Sequence, residues 1–189
     1  MCADFRRVLK NETQADHERV DALISSIDLV TFDGLVRFLS IHQSCFRFIR
    51  DLVTTETHAW CSLDGMVRRI DADLATMGAA ETVVVVSDIT KLDRLAIDYV
   101  IEGSRLGSKV LRRRWLTASD PTVRRASAYF SLAAVPGRWR NVCDQLSKIP
   151  VQSDRAGAII EDTKMLFALF HAAACEPVAE QLQGVQLAS

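Results

Sequence analysis

Glycine and proline are scarce in this chain, at 8 and 4 of 189 residues, and that scarcity excludes collagen-like and low-complexity architectures. No stretch reaches the 18 or more uncharged apolar residues that a membrane-spanning helix needs; the longest candidate, Met165 to Cys175, contains His171. The first residues, MCADFRRVLKNET, carry charges throughout and lack the apolar centre of a secretion signal, so a cytoplasmic location is expected. Cysteine usage is equally uninformative for zinc or redox chemistry. Cys2, Cys45, Cys61, Cys143 and Cys175 are odd in number, widely spread and without a CxxC pair, and read as reduced thiols. The four histidines, His17, His42, His58 and His171, include no ExxH, which argues against a helical di-iron oxidase.

What is present is the composition of one soluble globular domain, 49% hydrophobic and 25% charged, in a length that buries one substantial core. The net charge of −1 conceals an uneven distribution: Arg105 to Arg140 carries nine Arg or Lys against a single acid, Asp120. Such polarity can steer an anionic ligand or an acidic partner; neither nucleic acid nor a membrane is expected as a partner.

Helical periodicity dominates. Phe5, Val8, Leu9, Val20, Leu23, Ile24 and Ile27 mark an amphipathic helix from Asp4 to Ile27 whose apolar stripe is broken by the polar run Lys10 to Glu18. Asp33 is positioned to cap a second helix toward Val53, and a third covers about Thr57 to Met77, ended by Gly78. The following AAETVVVV has strand character but no partner strand, and reads as a buried connector ending at Ser87 or Asp88, which cap the next helix. That helix runs from about Leu92 to Trp115; Asp120-Pro121 starts another, Pro136 a third, and the last spans about Ser153 to Cys175. The expected fold is therefore all-α, a single-domain multi-helix bundle over residues 1–178, with a flexible tail at 179–189.

Two features carry possible chemistry. Lys10, His17 and Asp21 stand at relative positions −7, 0 and +4, within about 40° on one helix face. A metal-ligating imidazole needs an acceptor for its second nitrogen, and a carboxylate at i+4 can supply it, while Lys10 can meet a carboxylate at the ligand's edge. A solvated face bearing one His gives the same pattern. The second feature is Tyr99-Val100-Ile101-Glu102-Gly103-Ser104-Arg105-Leu106-Gly107 in an otherwise strong helix. Each interior glycine costs about 1 kcal/mol relative to Ala, so the pair implies bare backbone on one side, either for a flat ligand or for close packing of another helix.

Taken together, YVxEGSxLG at Tyr99 to Gly107 and the Lys, His and acid of the first helix resemble the haem oxygenase family, particularly its bacterial biliverdin-producing branch. The FxxF of the last helix, Phe167 and Phe170, adds to the likeness. The resemblance implies a bundle of the haem oxygenase type and haem as cofactor and substrate, cleaved with O₂ and reducing equivalents to biliverdin, CO and Fe²⁺. It further implies His17 as proximal iron ligand with Asp21 as its acceptor, and Lys10 and Tyr99 as propionate contacts. Gly103 and Gly107 would open the distal helix, with Ser104 and Leu106 lining it. Ser108 departs from the small apolar residue or Gly common in the family, and Lys109, Arg112, Arg113 and Arg114 make this helix end unusually basic. Arg113 or Arg114 would add a propionate contact, or the basic face would receive an electron donor such as an acidic ferredoxin or a flavin reductase. A catalytically altered haem- or bilin-binding protein on the same fold is the alternative reading.

Overall fold

The computed structural model describes residues 4–52, 58–79, 89, 91–133 and 135–176. Among these residues there are seven helices and no strand: α1 (Phe5–Ser26), α2 (Phe32–Leu52), α3 (His58–Met77), α4 (Arg94–Trp115), α5 (Pro121–Arg125), α6 (Arg138–Leu146) and α7 (Asp154–Cys175). The all-α architecture read from periodicity is thus observed. No described helix is long and apolar enough to cross a membrane.

Short polar side chains set most helix starts, because a cap oxygen satisfies backbone N–H groups that have no partner within the helix. Asp4 accepts from Arg6 N–H at 3.1 Å, Asp120 from Thr122 N–H at 2.7 Å, and Ser153 from Ala156 N–H at 3.1 Å. Two caps differ from expectation. Asp33 lies inside the first turn of α2, and the capping oxygen is Thr31 Oγ1, which accepts from Gly34 N–H at 3.2 Å. At α4 the cap is Asp93, which accepts from Leu95 N–H at 2.8 Å, rather than Ser87 or Asp88. Asp93 also pairs with Arg155 of α7 at 2.9 Å, so the cap doubles as an inter-helix tie. Ser87, Asp88, the Val83 to Val86 connector and the 179–189 tail lie outside the described residues.

Helix α2 supplies the centre of the core, burying Leu35, Phe38, Leu39, Cys45, Phe46 and Ile49 against α3 and α7. Helix α7 also carries α1 and α4, and α6 bridges α4 and α1. Cys45, Cys143 and Cys175 are free thiols.

His42 belongs to this core rather than to a ligand site. Its ring is caged by Phe38, Phe46, Tyr129 and Phe170, with centroids 4.1–6.1 Å away. Nδ1–H donates to Phe38 C=O at 2.8 Å, and burial drives the imidazole pKa down to about 4 despite that bond. The neighbouring segment is fixed by Asp73, whose carboxylate accepts from the N–H groups of Ala128 and Tyr129, both at 2.8 Å. Arg69 donates to Ala128 C=O at 3.1 Å.

Two stability predictions follow from these contacts. A Cβ at Gly34 would collide with the Asp28 carbonyl oxygen, so Gly34→Ala should lower unfolding stability by about 1–3 kcal/mol in urea titration, despite the better helix propensity of Ala. His42 is neutral in the fold and titrates near the ordinary value of 6.5 when unfolded. Its contribution is complete above pH 6.5 and is lost as pH falls toward 4, on the order of 3 kcal/mol in all. The slope of stability against pH across that window should flatten in His42→Phe; an unchanged slope would exclude His42 as its source.

Candidate functional site

The buried stripe of α1 runs Phe5, Leu9, Thr13 and then skips to Ile24. His17 and Asp21 fall in the gap, both exposed, His17 about 20–40° and Asp21 about 60–80° around the helix from Ile24 and Thr13. The polar interruption seen in the sequence is therefore a real gap in packing.

Helix α4 stands opposite. Tyr99, half-buried, has its hydroxyl in the neighbourhood of Thr13 of α1 and of the Cys143 thiol. Burial first, and then Cys143, pushes the phenol pKa upward, while Thr13 and Arg6 pull it back, so the group stays protonated at neutral pH. At the other end, Arg114 donates to Ser25 C=O and Ile27 C=O, both at 2.8 Å, closing on the C-terminal carbonyls of α1. The order of these two ties makes α1 and α4 run in the same direction. They lie roughly 20 Å apart along the helices at 1.5 Å per residue.

Between the ties the two backbones do not pack on each other, and α7 lies behind both. Tyr99, Gly103, Leu106, Gly107, Val110 and Arg114 share about 100° of the α4 circumference. Tyr99 and Arg114 reach α1, so the residues between them face the same way. Leu106 is 50% exposed and Val110 58%, and nothing lies within 4 Å of a Cβ built at Gly107. On the α7 side, Phe167 meets the His17 ring edge to face at 5.5 Å. These placements outline a candidate slot between α1 and α4, with His17 and Asp21 exposed on the α1 side, Leu106, Gly107 and Val110 exposed on the α4 side, and Phe167 packed against His17.

Not every sequence-predicted residue reaches the slot. Lys10 is exposed on the His17 face but lies beyond the Thr13–Tyr99 tie, at the slot's outer end. Ser104 is turned about 100° from Gly103, and its hydroxyl donates back to Ile101 C=O at 2.8 Å. Arg114 spends its guanidinium on α1, whereas Arg113 is exposed at the slot's margin. Among the described residues no hydrogen bond joins His17 to Asp21, and no group of three or more His, Cys, Asp or Glu is placed to hold a metal ion.

Trp139 is a site residue that sequence reasoning missed. Its indole lies over Gly103, 3.5 Å from where a Cβ would stand, and packs on Tyr99 with centroids 5.6 Å apart. The adjacent Arg138 pairs with buried Glu102 at 3.3 Å, so α6 is held on α4 by two successive residues. The two glycines thus differ: Gly103 makes room for an indole, while Gly107 faces open space. No spacing rule in the sequence distinguishes them.

No protein-family model and no curated protein matches this chain.

Because Arg114 holds the C-terminal end of α1 through two charge-assisted bonds, Arg114→Gln should cost about 1–3 kcal/mol of stability. Exposed Arg113→Gln should stay within about 0.5 kcal/mol of the parent. Thermal unfolding of both variants checks the contrast, and equal losses would remove the clamp.

Proposed function

We propose that the chain is a haem oxygenase that binds haem in the α1–α4 slot and opens it to biliverdin, CO and Fe²⁺. The observation that carries this reading is Gly107: an interior helix glycine with no neighbour within 4 Å of a Cβ built on it, on the face of α4 that carries Tyr99 and Arg114, while the His17 imidazole of α1 is exposed. A glycine at an uncrowded helix position is a liability of about 0.5–1 kcal/mol, which a ligand needing close backbone approach would offset.

The residues present suit a flat, largely apolar ring with anionic edges. His17 offers one imidazole nitrogen from α1, with Asp21 one turn on as a candidate acceptor for its other nitrogen. Phe167, Leu106 and Val110 supply apolar contact, and Lys10 and Arg113 are exposed cations toward the two ends, without an ion-pair partner among the described residues. When bound, haem supplies the iron that activates O₂ and is itself the molecule oxidised. The protein's part is to hold the ring by one imidazole, to bring backbone rather than side chain against its other face, and to keep bulk water off that face. Electrons come from an external donor such as a ferredoxin or flavin reductase, for which the basic end of α4 is the electrostatically suited side.

A second reading, haem or bilin carriage without turnover, is favoured by one observation. The Trp139 indole covers Gly103 and so narrows the bare stretch of α4 to the neighbourhood of Gly107.

Titration of the protein with ferric haem should give the spectrum of a His-ligated haem, and His17→Ala should abolish it. Gly107→Ala should stabilise the haem-free protein by about 0.5–1 kcal/mol, since nothing obstructs the methyl group. Gly107→Leu should weaken haem binding about ten- to a hundredfold, the affinity equivalent of about 1–3 kcal/mol of overpacking. Reduction in air should then bleach the Soret band and release biliverdin and CO. A persistent oxygenated spectrum would favour carriage, and a normal haem spectrum in His17→Ala would sink both readings.

A further inference from the structure

The face of α4 turned away from the slot carries Arg105, Ser108, Lys109 and Arg112 within about 100° of arc. These residues border a cavity of about 340 Å³ whose other wall is formed by residues 129–133, Tyr129 and Phe130 among them. Its volume sits at the small end of ligand-binding pockets.

That wall is held in place without a ligand. Asp73 accepts from the N–H groups of Ala128 and Tyr129, and Arg105 donates to Leu132 C=O and Ala133 C=O at 3.2 and 2.7 Å. Arg105 is thereby committed to building the cavity. Lys109 and Arg112 are not: both are exposed and have no hydrogen-bond or ion-pair partner among the described residues. Asp120, the single acid between Arg105 and Arg140, has its carboxylate engaged in capping α5. The cavity therefore combines a fixed wall that includes Tyr129 and Phe130 with a rim where Lys109 and Arg112 have no acidic partner among the described residues, and a fixed wall leaves little ordering cost at binding.

We propose that this cavity binds a small organic anion, its phosphate or carboxylate on Lys109 and Arg112 and its apolar body against Tyr129 and Phe130. Two unpaired cations spaced i, i+3 on one helix can both contact one oxyanion, and charge-assisted bonds of this kind are the strong ones. The aromatic wall adds the preference for an organic body over a bare inorganic ion. The site stands on the opposite side of α4 from His17 and does not depend on haem binding in the slot.

Calorimetric titration of the full chain, without haem and at low ionic strength, tests this with phenyl phosphate and benzoate as probes and inorganic phosphate and phenol as controls. Saturable binding to one site is expected for at least one of the two probes, with both controls weaker by about tenfold or more. The double variant Lys109→Gln/Arg112→Gln should lose about tenfold or more in affinity with unchanged circular dichroism and melting temperature, whereas exposed Lys148→Gln, just beyond α6, should bind as the parent does. Absence of saturable binding by both probes would overturn the proposal. So would equal affinity for inorganic phosphate, equal affinity for phenol, or undiminished binding in the double variant.

Discussion

Helices α1 and α4 lie side by side on α7, and two side chains keep them from closing on each other along their length. Tyr99 reaches Thr13 near one end, and Arg114 reaches the last carbonyls of α1 near the other. The second contact is electrostatically apt, since a guanidinium meets the negative end of the α1 dipole. Between these contacts the two backbones do not pack on each other, although His17 still meets Phe167 and Gly103 lies under Trp139. Exposure of His17, Asp21, Leu106, Val110 and Gly107 follows from that single arrangement.

The same helix α4 serves two environments because its opposite faces differ in chemistry. Toward α1 it presents glycine backbone and apolar side chains; toward the 129–133 segment it presents cations. That segment is anchored in turn by Asp73 and Arg69 of α3 beside the aromatic cage around His42. Rigidity of the core thus reaches both faces of α4. Comparison of two glycines makes the related point about space. Gly34 is needed because the Asp28 carbonyl leaves no room for a side chain, whereas Gly107 has room to spare.

Much of the helical framework was legible in the sequence. Capping by Asp120 and Ser153 was readable because a short polar residue before an apolar-periodic run has few other local roles. At Thr31 and Asp93 the same rule misled, since Asp33, Ser87 and Asp88 are equally good caps in isolation and only the three-dimensional path of the connection selects among them. The grouping of Lys10, His17 and Asp21 on one face was readable from helix geometry, as was that of Gly103 with Gly107. Arg114 was open to the same treatment: its angular position groups it with Gly103 and sets Arg112 on the opposite face, which separates a residue pointing to α1 from one pointing to the cavity. Trp139 carried no comparable signal, because contact between residues on different helices leaves no periodicity in the chain.

By itself, the sequence determined that this protein is a helical bundle, which residues share each helix face, and that α4 keeps two glycines where alanine is intrinsically preferred. These are consequences of local spacing and backbone preference, both of which act within a few residues. Only the tertiary structure decided that Gly103 lies under an indole while Gly107 faces open space, that Arg114 is a clamp while Arg113 is exposed, and that the α1 and α4 backbones do not pack on each other. Those outcomes depend on which helices pack against which, and packing is settled by side-chain volumes brought together from distant parts of the chain.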